Sequence, residues 1–177
     1  LDNGHFECDR AIITAGIWSK ELMLKLGLNI PLEAERGYHV VYKNASILPR
    51  NPMMMTIGKF GVTPMGSDLR CAGTVELGGI KLGPSKAPIK LLRRRVAEAF
   101  PKMSYDKTEE WFGFRPTVPD SLPLIGQLKE SGVYTAFGHQ HIGMTSGPKT
   151  GRLIADIINQ RSPNIDMSVY DPNRYNL

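Results

Sequence analysis

The feature that most constrains this chain is the alternation of rigid and yielding positions between residues 111 and 151. Arg115 sits among Trp111, Phe112 and Phe114 and is followed by Pro116, Pro119 and Pro123. Then come Gly138, Gly143, Gly147 and Gly151, which lead into a helical pattern over residues 152–159. Prolines hold a backbone in place, whereas glycines let a flat or bulky group approach backbone N–H groups closely. A guanidinium in such surroundings is poorly placed for hydration and well placed to grip an anion, since its planar fork can give a carboxylate two parallel hydrogen bonds. The plainer alternative is a structural salt bridge from Arg115 to Asp120 or Glu110. Gly143-Met144-Thr145 offers two or three free N–H groups at the positive end of a helix, a spot that stabilises negative charge. An ordinary helix start is the alternative there. Read together, an anion clamp and a glycine-lined helix tip describe a cofactor pocket with a carboxylate substrate beside it.

The rest of the chain falls into recognisable pieces. Residues 3–7 read as a hairpin tip, and residues 10–14 as a short buried strand broken at Ala15-Gly16. Ser19 is placed to cap a helix carrying Leu22, Met23 and Leu26 and stopped by Gly27. A strand feeding a helix through a tight glycine turn is half of an α/β unit. From Pro31 the pattern changes to short strands: 38–42, 53–57, 61–64 and 69–74, with a hairpin signal at Pro64-Met65-Gly66-Ser67-Asp68. The triplet Met53-Met54-Met55 reads as adaptable core or pocket lining. Pro88 suits a first helical turn, and Ile89, Leu92, Val96 and Phe100 mark the buried face of a helix ending before Pro101. Lys90, Arg93 and Arg94 fall mostly on its other faces. Residues 109–114 form a strand that delivers Arg115 at its end, and residues 133–137 form another. The polar tail from Ser162 is expected to wrap on the surface. The fold class is α+β, with a mostly antiparallel or mixed sheet flanked by helices.

Composition removes whole classes of function. No apolar run reaches the roughly 20 residues needed to span a bilayer. The chain opens on Leu1-Asp2-Asn3-Gly4, without a signal peptide, which suggests a piece of a longer protein. Two cysteines, Cys8 and Cys71, make no disulfide framework and fit reduced thiols in the cytoplasm. The net charge of +5 admits an acidic partner, but its largest basic run is only Arg93-Arg94-Arg95 and reads as a solvated face. No phosphate loop, nucleophile elbow or complete dinucleotide fingerprint is present. His139 and His141 have the spacing of two metal ligands on a strand but no third ligand nearby, so no metal is expected. A histidine packed near a cofactor or bonded to backbone is the expectation for His139.

Several motifs then follow one another in order. These are Thr14-Ala15-Gly16-Ile17-Trp18-Ser19, Glu35-Arg36-Gly37-Tyr38-His39, Ala72-Gly73-Thr74-Val75-Glu76, Trp111-x-Gly-x-Arg-Pro, Asp120-x-x-Pro-x-Ile-Gly and Gly138-His139-x-x-x-Gly143-x-Thr145. The ordered set resembles the C-terminal portion of the D-amino-acid oxidase-like FAD-dependent oxidoreductases. Within that family it looks most like the bacterial D-amino acid dehydrogenase small subunit and its glycine oxidase relatives. The resemblance runs from about Glu7 to Tyr175. Family members begin with a dinucleotide fold carrying Gly-x-Gly-x-x-Gly, which is missing here and would be a partner of this chain.

The resemblance implies a division into residues 1–30 and 116–177, parts of an FAD-binding α/β domain, and residues 31–115, a substrate domain. It implies FAD contacts from Ala15, Gly16 and Trp18, and from Gly138, His139, Ile142, Gly143, Met144 and Thr145 along the flavin ring. Arg115 would hold the substrate carboxylate, with Tyr38 lining the pocket. The implied reaction is hydride transfer from a D-amino acid Cα to flavin N5, giving an imino acid that water hydrolyses. Rival readings are a sarcosine, glycine, proline or glycerol-phosphate type flavin enzyme, and a non-catalytic anion-binding module. The implied partners are an amino-acid substrate and a peripheral membrane or quinone-chain contact at the inner membrane face, with no nucleic acid.

Overall fold

The structure, a computed structural model, describes residues 4–129 and 131–175. The Asp2-Asn3 turn and the last two residues of the tail lie outside the described residues. The chain divides into two compact units, one formed by Leu1–Glu33 with Arg115–Leu177 and the other by Ala34–Phe114. Antiparallel and mixed sheets with few helices make it an α+β protein, as the sequence pattern implies.

The first unit is built on a three-stranded sheet of β1 (Ala11–Ile13), β7 (Leu124–Gln127) and β8 (Val133–Phe137) in the order β1-β8-β7. β1 runs parallel to β8 and β7 antiparallel to it. β1 is not the buried strand expected from its apolar residues. It is an edge strand, and Ile12 is 46% exposed. A 3-10 turn at Gly16–Trp18 leads into helix α1 (Ser19–Lys25), which buries Met23 and leaves Leu22 and Leu26 exposed. Ser19 is the first residue of that helix rather than its cap, and its hydroxyl is buried with no described partner. Residues 4–7 form no hairpin. β7 was not anticipated, because four residues punctuated by Gly126 give too short a pattern to register.

Helix α3 (Gly143–Ile158) starts nine residues earlier than the sequence pattern suggested. Gly147, Pro148 and Gly151 read as breakers, yet the helix runs through them. Pro148 lies past the first four N–H positions, so the helix continues through it with one intrahelical donor missing opposite the Met144 carbonyl. Leu153 and Ile154 pack on Ile125, and Met167 and Tyr170 of the tail close over the same cluster. The tail is therefore anchored rather than merely draped. Asn173 donates to the Gln127 carbonyl at 2.9 Å and accepts from the Lys129 N–H at 2.9 Å.

The second unit is built on a five-stranded sheet of β3 (Met53–Met55), β4 (Phe60–Met65), β5 (Asp68–Leu77), β2 (Glu33–Tyr42) and β6 (Thr108–Thr117), joined in that order, with Glu33 and Arg115–Thr117 at the strand ends counted in the first unit. The β4–β5 hairpin turns at Gly66-Ser67, closing on the Met65–Asp68 pair as the turn residues require. Helix α2 (Lys86–Ala99) lays Leu92 and Val96 on Val40, Tyr42, Phe60, Val62, Leu69 and Cys71. Each fully buried aliphatic side chain here contributes about 1.5 to 3 kcal/mol over an exposed one. The methionine triplet is mostly outside this core: Met53 and Met54 are exposed and only Met55 packs against it. Cys71 is fully buried, and burial pushes its thiol up to about 12, whereas Cys8 is exposed. On α2, Arg94 makes a solvated pair with Glu98 at 3.7 Å. Arg93 does more than face water: it pairs with Glu110 at 2.8 Å and donates to Thr108.

Candidate active site

The two loops carrying the expected cofactor residues leave one edge of one sheet. β1 and β8 run in register, Ala11 with Val133 and Ile13 with Thr135, so both end on the same side. Continuing that register sets Ala15 and Gly16 beside Phe137 and Gly138. In sheets with parallel strands, ligands bind outside the carboxyl ends of those strands. Gly16 and Gly138 turn the chain there with φ of +56° and +91°, values that a side chain would strain. Ala15 and Trp18 are exposed beside this edge.

The second loop ends in the start of α3, where one oxygen absorbs four donors. The Ile142 carbonyl accepts from the N–H groups of Thr145 (3.1 Å) and Ser146 (2.9 Å) and from both of their hydroxyls (2.9 and 2.8 Å). The expected third free N–H, that of Thr145, is thus taken. Those of Gly143 and Met144 have no acceptor among the described residues, and no side chain caps the helix. Ile142 and Met144, 55% and 95% exposed, flank them. A 16-residue helix presents partial positive charge at such an end.

Arg115 lies within β6, which continues to Thr117, and not beyond its end as the residue pattern suggested. Side chains alternate along a strand, so Arg115 falls in the series of Trp111 and Gly113, not in that of Phe112. The structure gives Arg115 neither carboxylate that the plainer reading offered. Asp120 pairs with Arg174 at 2.8 Å, and Glu110 pairs with Arg93. Arg115 is half-buried and has no ion pair or hydrogen-bond acceptor among the described residues. A partly desolvated cation without an anion is costly to keep unless a ligand supplies one. The next residue ties this strand to the cofactor loop: the Gln140 N–H donates to the Pro116 carbonyl at 3.1 Å. Gln140 holds a left-handed φ of +51° to do so. Nothing in the motif pattern singled out Gln140, because its role lies in its backbone.

The histidines divide. His139 is half-buried, with a ring nitrogen 2.9 Å from the Thr150 hydroxyl, and burial lowers its pKa. Its partner is thus a side chain on α3 rather than backbone. His141 is exposed, and no group of metal-ligating side chains occurs among the described residues. Tyr38, in the second unit, is 2% exposed and tied into a polar network. Its hydroxyl donates to Glu76 and accepts from the Ser85 N–H at 3.2 Å, while Arg36 pairs with Glu76 at 3.5 Å. Burial, followed by the Glu76 carboxylate, raises the Tyr38 pKa. Its ring lies 6.2 Å from that of Phe112. The alternation of Glu35-Arg36-Gly37-Tyr38 and Thr74-Val75-Glu76 carried this network in the sequence, but pairing charges across strands needs the register.

A glycine-turned edge of parallel strands, an open helix end and a guanidinium unpaired among the described residues are the features this candidate site offers. Residues 1–157 match a family model described as "DAO: FAD dependent oxidoreductase", and the chain belongs to that family. A D-amino-acid oxidase of Bradyrhizobium diazoefficiens is 37% identical over 98% of this chain and 42% of its own length. A glycine oxidase of Pseudomonas aeruginosa is 31% identical over 96% of this chain and 47% of its own. The chain thus spans less than half the length of these relatives. The same fold occurs in the crystal structure of glycine oxidase from Geobacillus kaustophilus, with a TM-score of 0.83 and 24% identity over 96% of this chain and 46% of that one. The residues present fit the family's FAD: two unclaimed N–H groups flanked by exposed apolar side chains suit the electron-rich edge of a flavin ring. No helix among the described residues is long and apolar enough to cross a membrane.

Proposed function

We propose that these residues serve an FAD-dependent enzyme that oxidatively deaminates a D-amino acid. The observation that carries the reading is the unpaired, half-buried Arg115 one residue from the backbone bond that joins β6 to the loop before α3. When bound, FAD supplies the hydride acceptor. Arg115 clamps the substrate carboxylate with two parallel hydrogen bonds, and that fixes where the α-hydrogen points. The Gly143 and Met144 N–H groups would hold the cofactor, stabilising negative charge that it carries. Gly16 and Gly138 leave room for close approach, and Ala15, Trp18, Ile142 and Thr145 border the same loops. His139, hydrogen-bonded to Thr150, positions the loop. A substrate amine that binds neutral then needs no base. We assign residues 1–30 and 116–177 to the cofactor part and 31–115 to the substrate part.

The test uses the whole coding sequence in which these residues lie. Its purified product is expected to be yellow, while the 177-residue chain alone is colourless and inactive. Arg115→Leu should retain the flavin spectrum and raise KM for carboxylate substrates about 100-fold, as loss of a charge-assisted pair worth roughly 1.5 to 3 kcal/mol implies. An unchanged KM excludes the clamp. The glycine oxidase relative favours glycine or sarcosine as the second reading. Turnover of those amines ahead of larger D-amino acids would select it.

A further inference from the structure

The end of α3 opposite its bare N–H groups carries a cationic cleft that the flavin reading does not use. From Gly143 to Asp156 the helix rises about 20 Å, at about 1.5 Å per residue. The Asp156 side chain is only 9% exposed, and two arginines share its carboxylate. Arg152 donates through Nε to one oxygen at 3.1 Å, and Arg161 donates through Nε to the other at 2.9 Å. The way α3 ends fixes where Arg161 starts. Gln160 turns with a left-handed φ of +55° and its N–H donates to the Ile157 carbonyl at 3.0 Å. The Arg161 N–H then donates to the Asp156 carbonyl at 2.8 Å, the paired bonds of a Schellman ending.

Each guanidinium spends one nitrogen on Asp156, and the terminal NH2 groups of both have no acceptor among the described residues. Both arginines line a cleft of about 580 Å³ together with Lys149, Asp156, Ser162 and Asn164. Lys149 stands one turn before Arg152 and donates to the Asn164 side-chain carbonyl, which holds its ammonium in the same cluster. An arginine in the last turn of a helix complements the helix dipole and needs no ligand for that. The effect fades within that turn, so it does not account for Lys149 and Arg152 further in. Three cations meet one nearly buried carboxylate, and a surplus of two positive charges remains in a cleft whose lining residues are all polar. We propose that this cleft binds a small soluble phosphate, as the free dianion or a monoester, between the two guanidinium groups and Lys149. Guanidinium forks match phosphate oxygens in pairs, and Asp156 is the positioning residue that aims them. A lipid headgroup fits less well, because no apolar side chain lines the cleft to enter a bilayer.

The test uses the flavin-loaded product of the whole coding sequence in phosphate-free buffer, with inorganic phosphate as the probe. Calorimetric titration should show saturable binding. Lys149→Gln with Arg152→Gln should weaken it about tenfold or more, as loss of two charge-assisted contacts implies, with flavin spectrum and circular dichroism unchanged. Arg161 still pairs with Asp156 in that variant. Asp156→Asn is the sharper measurement. It makes the cleft more positive, so a diffuse basic patch would bind phosphate more tightly, whereas loss of aim should weaken binding several-fold. Lys86→Gln with Lys90→Gln removes the same charge from α2 and should change nothing. No binding, a loss in the α2 pair, or unchanged affinity in the Lys149 and Arg152 variant overturns the proposal. Tighter or unchanged binding in Asp156→Asn does the same. Cosedimentation with phosphatidylcholine vesicles containing phosphatidic acid should not differ between wild type and the Lys149 and Arg152 variant. A difference there assigns the cleft to lipid and overturns the proposal equally.

Discussion

The starts of α2 and α3 differ in what stands beside them: neither carries a side-chain cap, but α2 has a tyrosine hydroxyl and a carboxylate at its N-cap residue. At α2 the Ser85 N–H is satisfied by Tyr38, and Glu76 supplies negative charge that Arg36 balances from below. At α3 the first two N–H groups have no acceptor among the described residues, the Ile142 carbonyl takes four donors, and Ile142 and Met144 stand exposed around them. A helix end filled from within the protein is structure. One left bare beside glycine turns and an unpaired arginine is held in readiness for something from outside.

Closing the open end should break the contrast most sharply. Ile142→Asp would place a carboxylate where it can cap the Met144 N–H, giving α3 a fixed anion at its start. The free chain should gain about 0.5 to 2 kcal/mol in urea denaturation. In the whole coding sequence, flavin affinity measured by spectral titration should fall at least tenfold, because a fixed anion then occupies the positive helix end. A stabilised protein that still binds flavin normally would end the argument from openness.

Opening the closed end should do the reverse. Tyr38→Phe removes the acceptor of the Ser85 N–H and the donor to Glu76, and should cost about 1 to 3 kcal/mol by the same denaturation measurement. If the tyrosine is structural, KM and kcat follow wild type. If it also meets substrate, as the sequence resemblance implied, kcat falls with no matching change in flavin affinity.

The smallest effect concerns the anchor that leaves Arg115 alone. Arg174 holds Asp120 well below the usual carboxylate range, at about 2 against 3.8. A carboxyl with a depressed folded pKa contributes stability above its unfolded value and loses it as pH falls through the folded one. The partly exposed pair is worth roughly 0.2 to 1 kcal/mol. The stability gap between wild type and Asp120→Asn should therefore be constant above about pH 4.5 and close between pH 4 and 2.

How much of this was legible in the residues alone varied with the physics involved. Periodicity located α2 and most strands of the large sheet, because a buried stripe must repeat at 3.6 or 2.0 residues. It misplaced the start of α3, since Gly147, Pro148 and Gly151 suppress helix propensity while hydroxyl-to-carbonyl bonds at Thr145 and Ser146 hold that turn. It also judged Ile12 by its hydrophobicity, which says nothing about whether a strand lies at a sheet edge. The motif order was enough to indicate the family. It could not reveal that Asp120 and Glu110 are both spoken for, because Arg174 and Arg93 approach them only through the fold.

The two cysteines carry a practical consequence. With one thiol on the surface and the other sealed beneath α2 and pushed up to about 12, a maleimide dye at neutral pH should modify Cys8 alone. Position 8 lies three residues before the edge strand, so a fluorophore there would sense whatever assembles along that edge, with no engineered residue required.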